Sequence, residues 1–203
     1  MYDHVVNSIV LPIGIIQPPI LDPEAPKYLN YGSLGTLVGH EISHGFDTIG
    51  RDYDWDGRYS NWWSNATRAG FDSRAQCFVE QYNNYTVTAP DGKIIHANGK
   101  RTLAENIADA GGLSASFAAW KQRVIKEPDL NLPGLEFFTQ EQLFFVAYAR
   151  LWCQERDPEE EIARMEIDSH APRRARILYG LANSEAFKRS FSCPVKEPVC
   201  ELW

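Results

Sequence analysis

The sequence contains no apolar run long enough to cross a membrane. Its most apolar stretch, IVLPIGIIQPPIL at residues 9–21, is well short of the roughly 20 residues that a spanning helix needs, and prolines interrupt it. The first four residues, MYDH, show neither the basic start nor the small-residue cleavage site of a signal peptide. We therefore expect this segment to make no membrane contact.

Basic residues are in the minority. The 20 Lys and Arg residues are outnumbered by 27 Asp and Glu residues, which gives a net charge of −7 and a pI of about 5.2. Nucleic acids and anionic membranes are bound by basic surfaces. The one short basic cluster, RRAR at residues 173–176, does not reverse this balance. We expect no nucleic-acid partner.

Cysteine is also scarce. It occurs at four positions: Cys77, Cys153, Cys193 and Cys200. No two of them form a Cys-x-x-Cys pair, so a thiolate zinc site is not expected. The even number of cysteines, together with glycosylation sequons at Asn65 and Asn84, favours an extracellular setting, either secreted or in the ectodomain of a single-pass membrane protein. The alternative is a cytosolic protein with four buried thiols.

The residue pattern predicts a mainly α domain that spans residues 1–203. Hydrophobic residues make up 44% of the chain, enough to form a core. The predicted helices cover residues 33–46, residues 61–82 with Ser60 as N-cap, residues 103–126 after Thr102, and residues 140–154 after Thr139. Shorter helices are predicted to begin at Pro158, Pro172 and Ser184.

Two segments predict β-structure. Residues 8–20 are rich in β-branched side chains and interrupted by prolines, which favours an edge strand. The segment YTVTAPDGKIIHANG, residues 85–99, alternates and predicts a small hairpin that turns at Pro90-Asp91-Gly92.

Residues 52–57 begin like a calcium loop, but Trp63 stands where the bidentate glutamate should be. We therefore favour a turn in which Gly57 has positive φ.

The stretch HEISH, residues 40–44, has the spacing of a zinc site. On a helix His40 and His44 lie on one face and can bind one ion. Glu41 is offset by about 100°, so it can reach a metal-bound water and act as its general base. The alternative is a helix whose two histidines are simply packed or solvated.

A third ligand must come from elsewhere in the chain. The three-histidine arrangement is excluded because Asp47 and Gly50 stand where glycine and histidine are required. The segment LAENIADAGG, residues 103–112, offers Glu105 and Asp109 on one helix face. One of them can bind the metal while the other orients a ligand histidine. Alternatively, Glu105 only completes a capping box at the start of its helix.

Taken together, these motifs resemble those of the neprilysin and endothelin-converting enzyme family of zinc metallopeptidases, in their C-terminal catalytic portion. HEISHGFD and ENIADAGG occur in the family's order. They are accompanied by further matching blocks: IVLPIGIIQPP, LNYGSLGTLVGHE, DGRYSNWW, QLFFVAYARLWC, DSHAPRRAR and a final Cys-x-x-Trp. The resemblance implies an α+β zincin fold with a thermolysin-like catalytic core and one Zn²⁺ per chain.

The resemblance also implies roles for individual residues. The zinc ligands would be His40, His44 and Glu105, with Glu41 as general base. The resemblance implies further polar residues of the site: Asp47 and Asp109 orienting the two histidines, His170 stabilising the oxyanion, and Arg176 holding a substrate carbonyl. It implies an apolar pocket for the residue after the scissile bond: Ile15, Ile20, Leu37, Val38, Leu151 and Trp152. Some of these six can equally be plain core residues.

The resemblance implies that family members carry a large N-terminal half that folds over the catalytic half, and we expect this sequence to correspond to the catalytic half alone. By the same resemblance Cys77 and Cys200 would form a disulfide, while the partners of Cys153 and Cys193 would lie in that N-terminal half. The expected function is a zinc metalloendopeptidase that cleaves peptides before hydrophobic residues. The alternative is a zinc-bound but catalytically incompetent fragment that acts in binding or assembly.

Overall fold

The computed structural model describes residues 1–194 and 199–202, and it is mainly helical. Trp203 of the final Cys-x-x-Trp block lies outside the described residues. The helices are α1 (Lys27–Asn30), α2 (Thr36–Ser43), α3 (Asn65–Asn83), α4 (Leu103–Lys126), α5 (Gln140–Trp152), α6 (Pro158–Ile167), α7 (Arg173–Ala182) and α8 (Glu185–Phe191). The strands are β1 (Tyr2–Asp3), β2 (Ser8–Ile9), β3 (Thr86–Thr88) and β4 (Ile94–His96).

Several predicted helix boundaries are confirmed. Helix α4 has the predicted bounds, and the side chains of Thr139 and Ser184 cap α5 and α8. Thr139 forms a full capping box with Gln142. These caps are local, since the side-chain oxygen accepts a backbone N–H two or three residues ahead.

The predicted N-cap of α3 is wrong by four residues. Ser64, not Ser60, caps α3 by accepting the backbone N–H of Thr67 at 3.1 Å. The chain is not helical at Ser60, where the backbone N–H donates to the carbonyl of Asp52 at 2.8 Å, next to the bridge between Tyr53 and Tyr59. That bond holds the segment before α3 in an extended path.

The predicted edge strand is mostly absent. Only Ser8–Ile9 pairs, antiparallel to Tyr2–Asp3, and a 3₁₀ turn follows at Ile13–Ile15. Prolines at 12, 18 and 19 have no backbone N–H to give to a ladder, so pairing ends before them. The hairpin β3–β4 is confirmed in register Thr86 with His96, with Gly92 at a φ of +84°.

The acidic loop at residues 52–59 is a turn. The Oδ1 atom of Asp54 accepts the backbone N–H groups of Asp56 and Arg58, each at 3.0 Å. Gly57 has a φ of +76°, as the turn interpretation predicts.

Helix α4 lies between two hydrophobic clusters and belongs to both. Ile107 contributes to a cluster with residues of α3 and α7, including Phe78 and Ala175. Leu113 and Trp120 contribute to a second cluster with α1 and α5. The helix that begins with Glu105 is therefore held by packing along its length.

A disulfide ties the chain end to this core. Cys77 of α3 and Cys200 are bonded across 123 residues, which confirms the expected pairing. Cys153 and Cys193 are exposed and carry free thiols.

We expect the double substitution Cys77→Ala/Cys200→Ala to lower the free energy of unfolding by about 3 kcal/mol, because the cross-link closes a long loop of the unfolded chain. Urea unfolding measures this change. The matched control is Cys153→Ala/Cys193→Ala, which removes two exposed thiols and should leave stability within about 0.5 kcal/mol of the parent. Equal losses in the two variants would contradict a structural role for the disulfide.

Candidate metal centre

One continuous helical run carries both histidines of HEISH. The run begins with α1, passes through a π-helical segment at Tyr31–Gly35, and continues from α2 into a 3₁₀ turn at His44–Phe46. The Nε2 atoms of His40 and His44 lie 3.0 Å apart, with the rings edge to face. The convergence that the spacing predicts is therefore present.

Glu105, in the first turn of α4, reaches the same point. Its Oε2 atom lies 3.2 Å from His40 Nε2, 3.4 Å from His44 Nε2 and 3.2 Å from His170 Nε2. This oxygen is buried, yet none of the three contacts has hydrogen-bond geometry. A buried carboxylate oxygen that faces ring nitrogens without bonding them is the arrangement expected around a cation.

The donor set fits a borderline transition metal. Within the part of the chain that the structure describes, His40, His44 and Glu105 are the group whose potential ligand atoms all lie within 4.8 Å of one another. Two imidazole nitrogens and one carboxylate oxygen leave a fourth position open, as in catalytic zinc sites. Hard cations such as Mg²⁺ and Ca²⁺ prefer oxygen ligands alone.

The capping-box interpretation of Glu105 is wrong. The side chain of Thr102 makes no cap bond to α4. Its Oγ1 atom instead donates to the carbonyl of Asn98 at 3.3 Å and accepts from Asn106 Nδ2 at 2.8 Å. Glu105 is therefore free to face the histidines.

The histidines and Glu105 shift one another's pKa values. Burial alone would lower the pKa of His44, but the hydrogen bond to Asp47 and the close contact with the Glu105 carboxylate raise it to about 10. Burial opposes the charged form of Glu105, yet the neighbouring histidines hold its pKa well below its usual range. A bound cation would take the place of those protons, because metal ligands bind in their deprotonated form.

Two aspartates orient the histidine rings. Asp109, one turn after Glu105 on α4, contacts His40 Nδ1 at 2.8 Å, and Asp47 contacts His44 Nδ1 at 2.7 Å. Asp47 also accepts two backbone N–H groups of the turn that follows it. Holding Nδ1 in this way directs each Nε2 atom toward the shared point.

Asp109 also anchors a buried arginine. Arg176 of α7 donates two hydrogen bonds to its carboxylate, Nε to Oδ2 and Nη2 to Oδ1, both at 2.7 Å. Burial would raise the pKa of Asp109, but Arg176 and His40 lower it to about 2. The guanidinium stacks 3.6 Å above the ring of Trp152, and Tyr148 donates to the Arg176 carbonyl at 2.9 Å.

Two glycines let α2 and α4 meet at backbone distance, a feature that sequence reasoning missed. A Cβ atom on Gly112 would lie 2.4 Å from the backbone nitrogen of His40 and 2.7 Å from the Thr36 carbonyl oxygen. One on Gly39 would lie 2.8 Å from the carbonyl oxygen of Gly112. The Gly-Gly pair after ENIADA is the available sequence signal, but it does not say which helix approaches.

We expect Gly112→Ala to push α2 away from α4 and to weaken metal binding at least tenfold, because His40 and Glu105 lie on opposite sides of this contact. Chelator competition measures the zinc affinity. Gly70→Ala in α3 is the matched control, since a Cβ there meets nothing within 4 Å. It should leave affinity unchanged and raise stability by about 0.5–1 kcal/mol. Unchanged zinc affinity in Gly112→Ala would contradict the packing argument.

A cavity of about 400 Å³ opens over the potential ligands, and Glu41 and His170 both line it. Glu41 also forms an ion pair at 2.8 Å with the amino group of Met1. Glu41 thus faces the same space as the ligand set without belonging to it, as the helical offset predicts.

His170 is fixed by its own loop. Asp168 Oδ1 lies 2.9 Å from His170 Nδ1 and accepts the His170 backbone N–H, also at 2.9 Å. This leaves Nε2 directed at Glu105, whose contact raises the pKa of His170. The residue pattern alone does not single out this histidine; the family resemblance does.

Two of the six apolar positions line cavities, and the two cavities are different. Trp152 lines a cavity of about 200 Å³ beside His170 and Arg176, whereas Val38 lines a separate apolar groove. The other four positions line neither space: Ile15, Ile20, Leu37 and Leu151. Neighbouring residues on a helix are about 100° apart, so two consecutive residues seldom face one pocket.

We expect Asp109→Asn to weaken zinc binding about 10–100-fold and also to lower the free energy of unfolding by about 3 kcal/mol, because Arg176 loses its buried counter-charge. Asp47→Asn is the matched variant: it weakens the contact to His44 but leaves no arginine unpaired. Chelator competition and urea unfolding separate the two effects. Equal losses of unfolding free energy in the two variants would contradict a stabilising role for the Asp109–Arg176 pair.

A family model described as Peptidase family M13 matches residues 1–201. An endothelin-converting enzyme homolog of Locusta migratoria is 45% identical over 210 residues, covering 100% of this chain and 28% of that protein. Endothelin-converting enzyme 1 of Homo sapiens is 41% identical over 208 residues, covering 100% and 26%.

A crystal structure of the Mycobacterium tuberculosis zinc metalloprotease Zmp1 in complex with inhibitor matches with a TM-score of 0.88 at 33% identity, covering 100% of this chain and 31% of that chain. A helix with two histidines set against a carboxylate on a neighbouring helix places the fold among mainly helical zincins. The chain belongs to Peptidase family M13. It spans about a quarter of the length of the curated relatives it matches.

Proposed function

We propose that this protein is a zinc-dependent metalloendopeptidase. The observation that carries the proposal is the convergence of His40, His44 and Glu105 on one point, with Glu41 in the same cavity. Membership of Peptidase family M13 supports a peptidase. Zinc is supported by the donor set and by the zinc metalloproteases among the structural neighbours.

The three ligands would hold the ion and leave one position for water or for a substrate carbonyl. Zinc bound there supplies a Lewis acid that polarises a carbonyl and acidifies a water. The carboxylate of Glu41 accepts the proton of that water and can return it to the departing amine. Asp47 and Asp109 keep the two imidazoles in the tautomer whose Nε2 is free.

His170 would stabilise the negative charge that develops on the carbonyl oxygen. Its Nε2 atom faces the metal centre, and the contacts of the ring with Glu105 and Asp168 raise its pKa, which favours the imidazolium form with an N–H on both ring nitrogens. A donor that is already oriented gains most when the charge appears. Arg176, whose Nη1 lies outside its pair with Asp109, would hold a backbone carbonyl of the substrate.

We further propose cleavage on the amino side of hydrophobic residues. The support is the apolar pocket that the family resemblance implies, of which Trp152 lies beside Arg176. An apolar pocket separates related apolar side chains by only about 1–3 kcal/mol, so the preference would be broad.

The proposed setting is extracellular, with the N-terminal half of the family's ectodomain as a partner in the same polypeptide. Asn65 and Asn84 are exposed, as glycosylation requires, and Cys153 and Cys193 are exposed for bonding to that half. No helix in the described part of the chain is long and apolar enough to span a membrane.

We expect the zinc-loaded protein to cleave an internally quenched peptide before its single central Phe. Glu41→Gln should lower kcat/KM by about 10²–10⁴-fold because the proton acceptor is lost, with zinc retained. Glu105→Ala should lose zinc as well as activity. Fluorescence and zinc analysis measure both.

The matched control is Glu24→Gln, an exposed glutamate, which should keep full activity and zinc. Cleavage that survives in Glu41→Gln would refute the assigned base. Tightly bound zinc without any cleavage in the parent protein would favour the binding or assembly function instead.

A further inference from the structure

Helix α6 leads directly into the loop that carries His170. The helix ends at Ile167, and Asp168 and Ser169 separate it from His170. All residues of α6 are described by the structure, and none of them is buried. Helices in proteins are held in place mostly by packing of an apolar face. Because α6 lacks a buried face, polar contacts at its ends have a large part in setting where it lies.

The polar contacts at the start of α6 are local. Asp157 caps the helix by accepting the backbone N–H of Glu159 at 2.8 Å. Arg156 pairs with Glu161 at 2.9 Å. These groups all belong to residues 156–161, so they stabilise the first turn of the helix but do not tie it to the metal centre.

At the other end of α6, an arginine from a distant part of the chain binds the helix. Arg101 lies in the turn just before α4, and its Nη1 atom donates to the carbonyl oxygen of Met165 at 3.1 Å and also to that of Glu166. The last carbonyls of a helix have no partner within the helix, and the helix dipole is negative there. A guanidinium supplies both the missing donors and the opposite charge.

The turn that carries Arg101 is itself fixed. The backbone N–H of Arg101 donates to Oδ1 of Asn98 at 3.0 Å, and the N–H of Thr102 donates to the Asn98 carbonyl at 3.2 Å. Glu105 follows in the first turn of α4. The same turn therefore places Glu105 on one side and, through the Arg101 side chain, the end of α6 on the other.

The loop that carries His170 is attached on both sides. After it, Ala171 is buried in the hydrophobic cluster that contains Ile107 and Ala175. Before it, Arg101 holds the end of α6. Between these two attachments, His170 Nε2 lies 3.2 Å from Oε2 of Glu105. Loss of the first attachment would free the loop on that side, while the second keeps the rest of α7 in place.

We propose that Arg101 is a positioning residue for peptide hydrolysis. By binding the end of α6, it holds His170 where the imidazole can stabilise the charge on the substrate oxygen. The inference rests on the proposed peptidase function and on the role proposed there for His170. Arg101 is exposed and is not among the described residues that line the cavity over the metal ligands, so it acts only through the loop.

The test compares two inhibitors that have the same peptide portion and differ in the group placed at the zinc. A phosphinic group presents a tetrahedral anionic oxygen that resembles the reaction intermediate, whereas a thiol binds zinc without such an oxygen. In Arg101→Gln we expect the phosphinic inhibitor to bind about tenfold more weakly and the thiol inhibitor to change less than about twofold. The loss is smaller than the roughly 10²–10³-fold that complete removal of an oxyanion donor costs.

Turnover and zinc content give independent readouts. With the internally quenched peptide, kcat should fall by about the same tenfold factor while KM changes less than about twofold, because the affected interaction is made in the transition state. Zinc affinity from chelator competition should be unchanged. Arg101→Lys keeps a charged donor and should recover most of the phosphinic affinity.

The matched control is Lys100→Gln. Lys100 is the preceding residue of the same segment, is exposed and carries the same charge. Its replacement should leave the affinity for both inhibitors unchanged. An equal loss in Lys100→Gln and Arg101→Gln would mean that only the net charge near the site matters, which would overturn the positioning role.

A double-mutant cycle decides whether Arg101 acts through His170. In a His170→Ala background, Arg101→Gln should weaken the phosphinic inhibitor no further. A further tenfold loss in that background, an equal loss for both inhibitors, or unchanged phosphinic binding in Arg101→Gln alone would each overturn the proposal. The expected inhibitor pattern without any cleavage by the parent protein would refute the peptidase proposal alone, and a zinc-loaded parent that binds neither inhibitor would refute both.

Discussion

The metal centre depends on the contact between α2 and α4. Gly39 and Gly112 remove the side chains that would otherwise keep these helices apart, and the backbones meet closely enough that a single Cβ would clash. His40 is adjacent to one glycine, and Glu105 lies two turns before the other on α4. The distance between the helices therefore sets the distance between an imidazole and a carboxylate. Packing on both sides of α4 holds that distance, because tightly packed interiors resist small displacements.

Asp109 extends this control to a third helix. One carboxylate contacts His40 from α2 and Arg176 from α7, while its own backbone is in α4. All three groups are buried, so each depends on the others for its charged or hydrogen-bonded state. The orientation of a potential metal ligand and the placement of a potential substrate-binding arginine thus depend on the same carboxylate.

The sequence predicts the parts of this arrangement that depend on local chemistry. The spacing of His40 and His44 predicts their convergence, and local caps predict the starts of α5 and α8. Contacts between distant elements are not predictable in this way. The N-cap of α3 is Ser64 rather than Ser60, because the chain at Ser60 bonds back to the preceding loop and is not yet helical. The contact between Gly39 and Gly112 cannot be predicted either, because a single sequence does not say which helices are neighbours.

The two cavities divide the chemistry of the site into separate tasks. The cavity over His40, His44 and Glu105 is lined by side chains that are paired with one another. Asp109 holds His40, and Asp47 holds His44. The space beside it is lined by four arginines, Arg156, Arg164, Arg173 and Arg176. A fixed, balanced centre suits a reaction that is the same for every peptide bond. Under the proposed function, cationic side chains beside the centre can contribute to discrimination between peptides without altering the ligands.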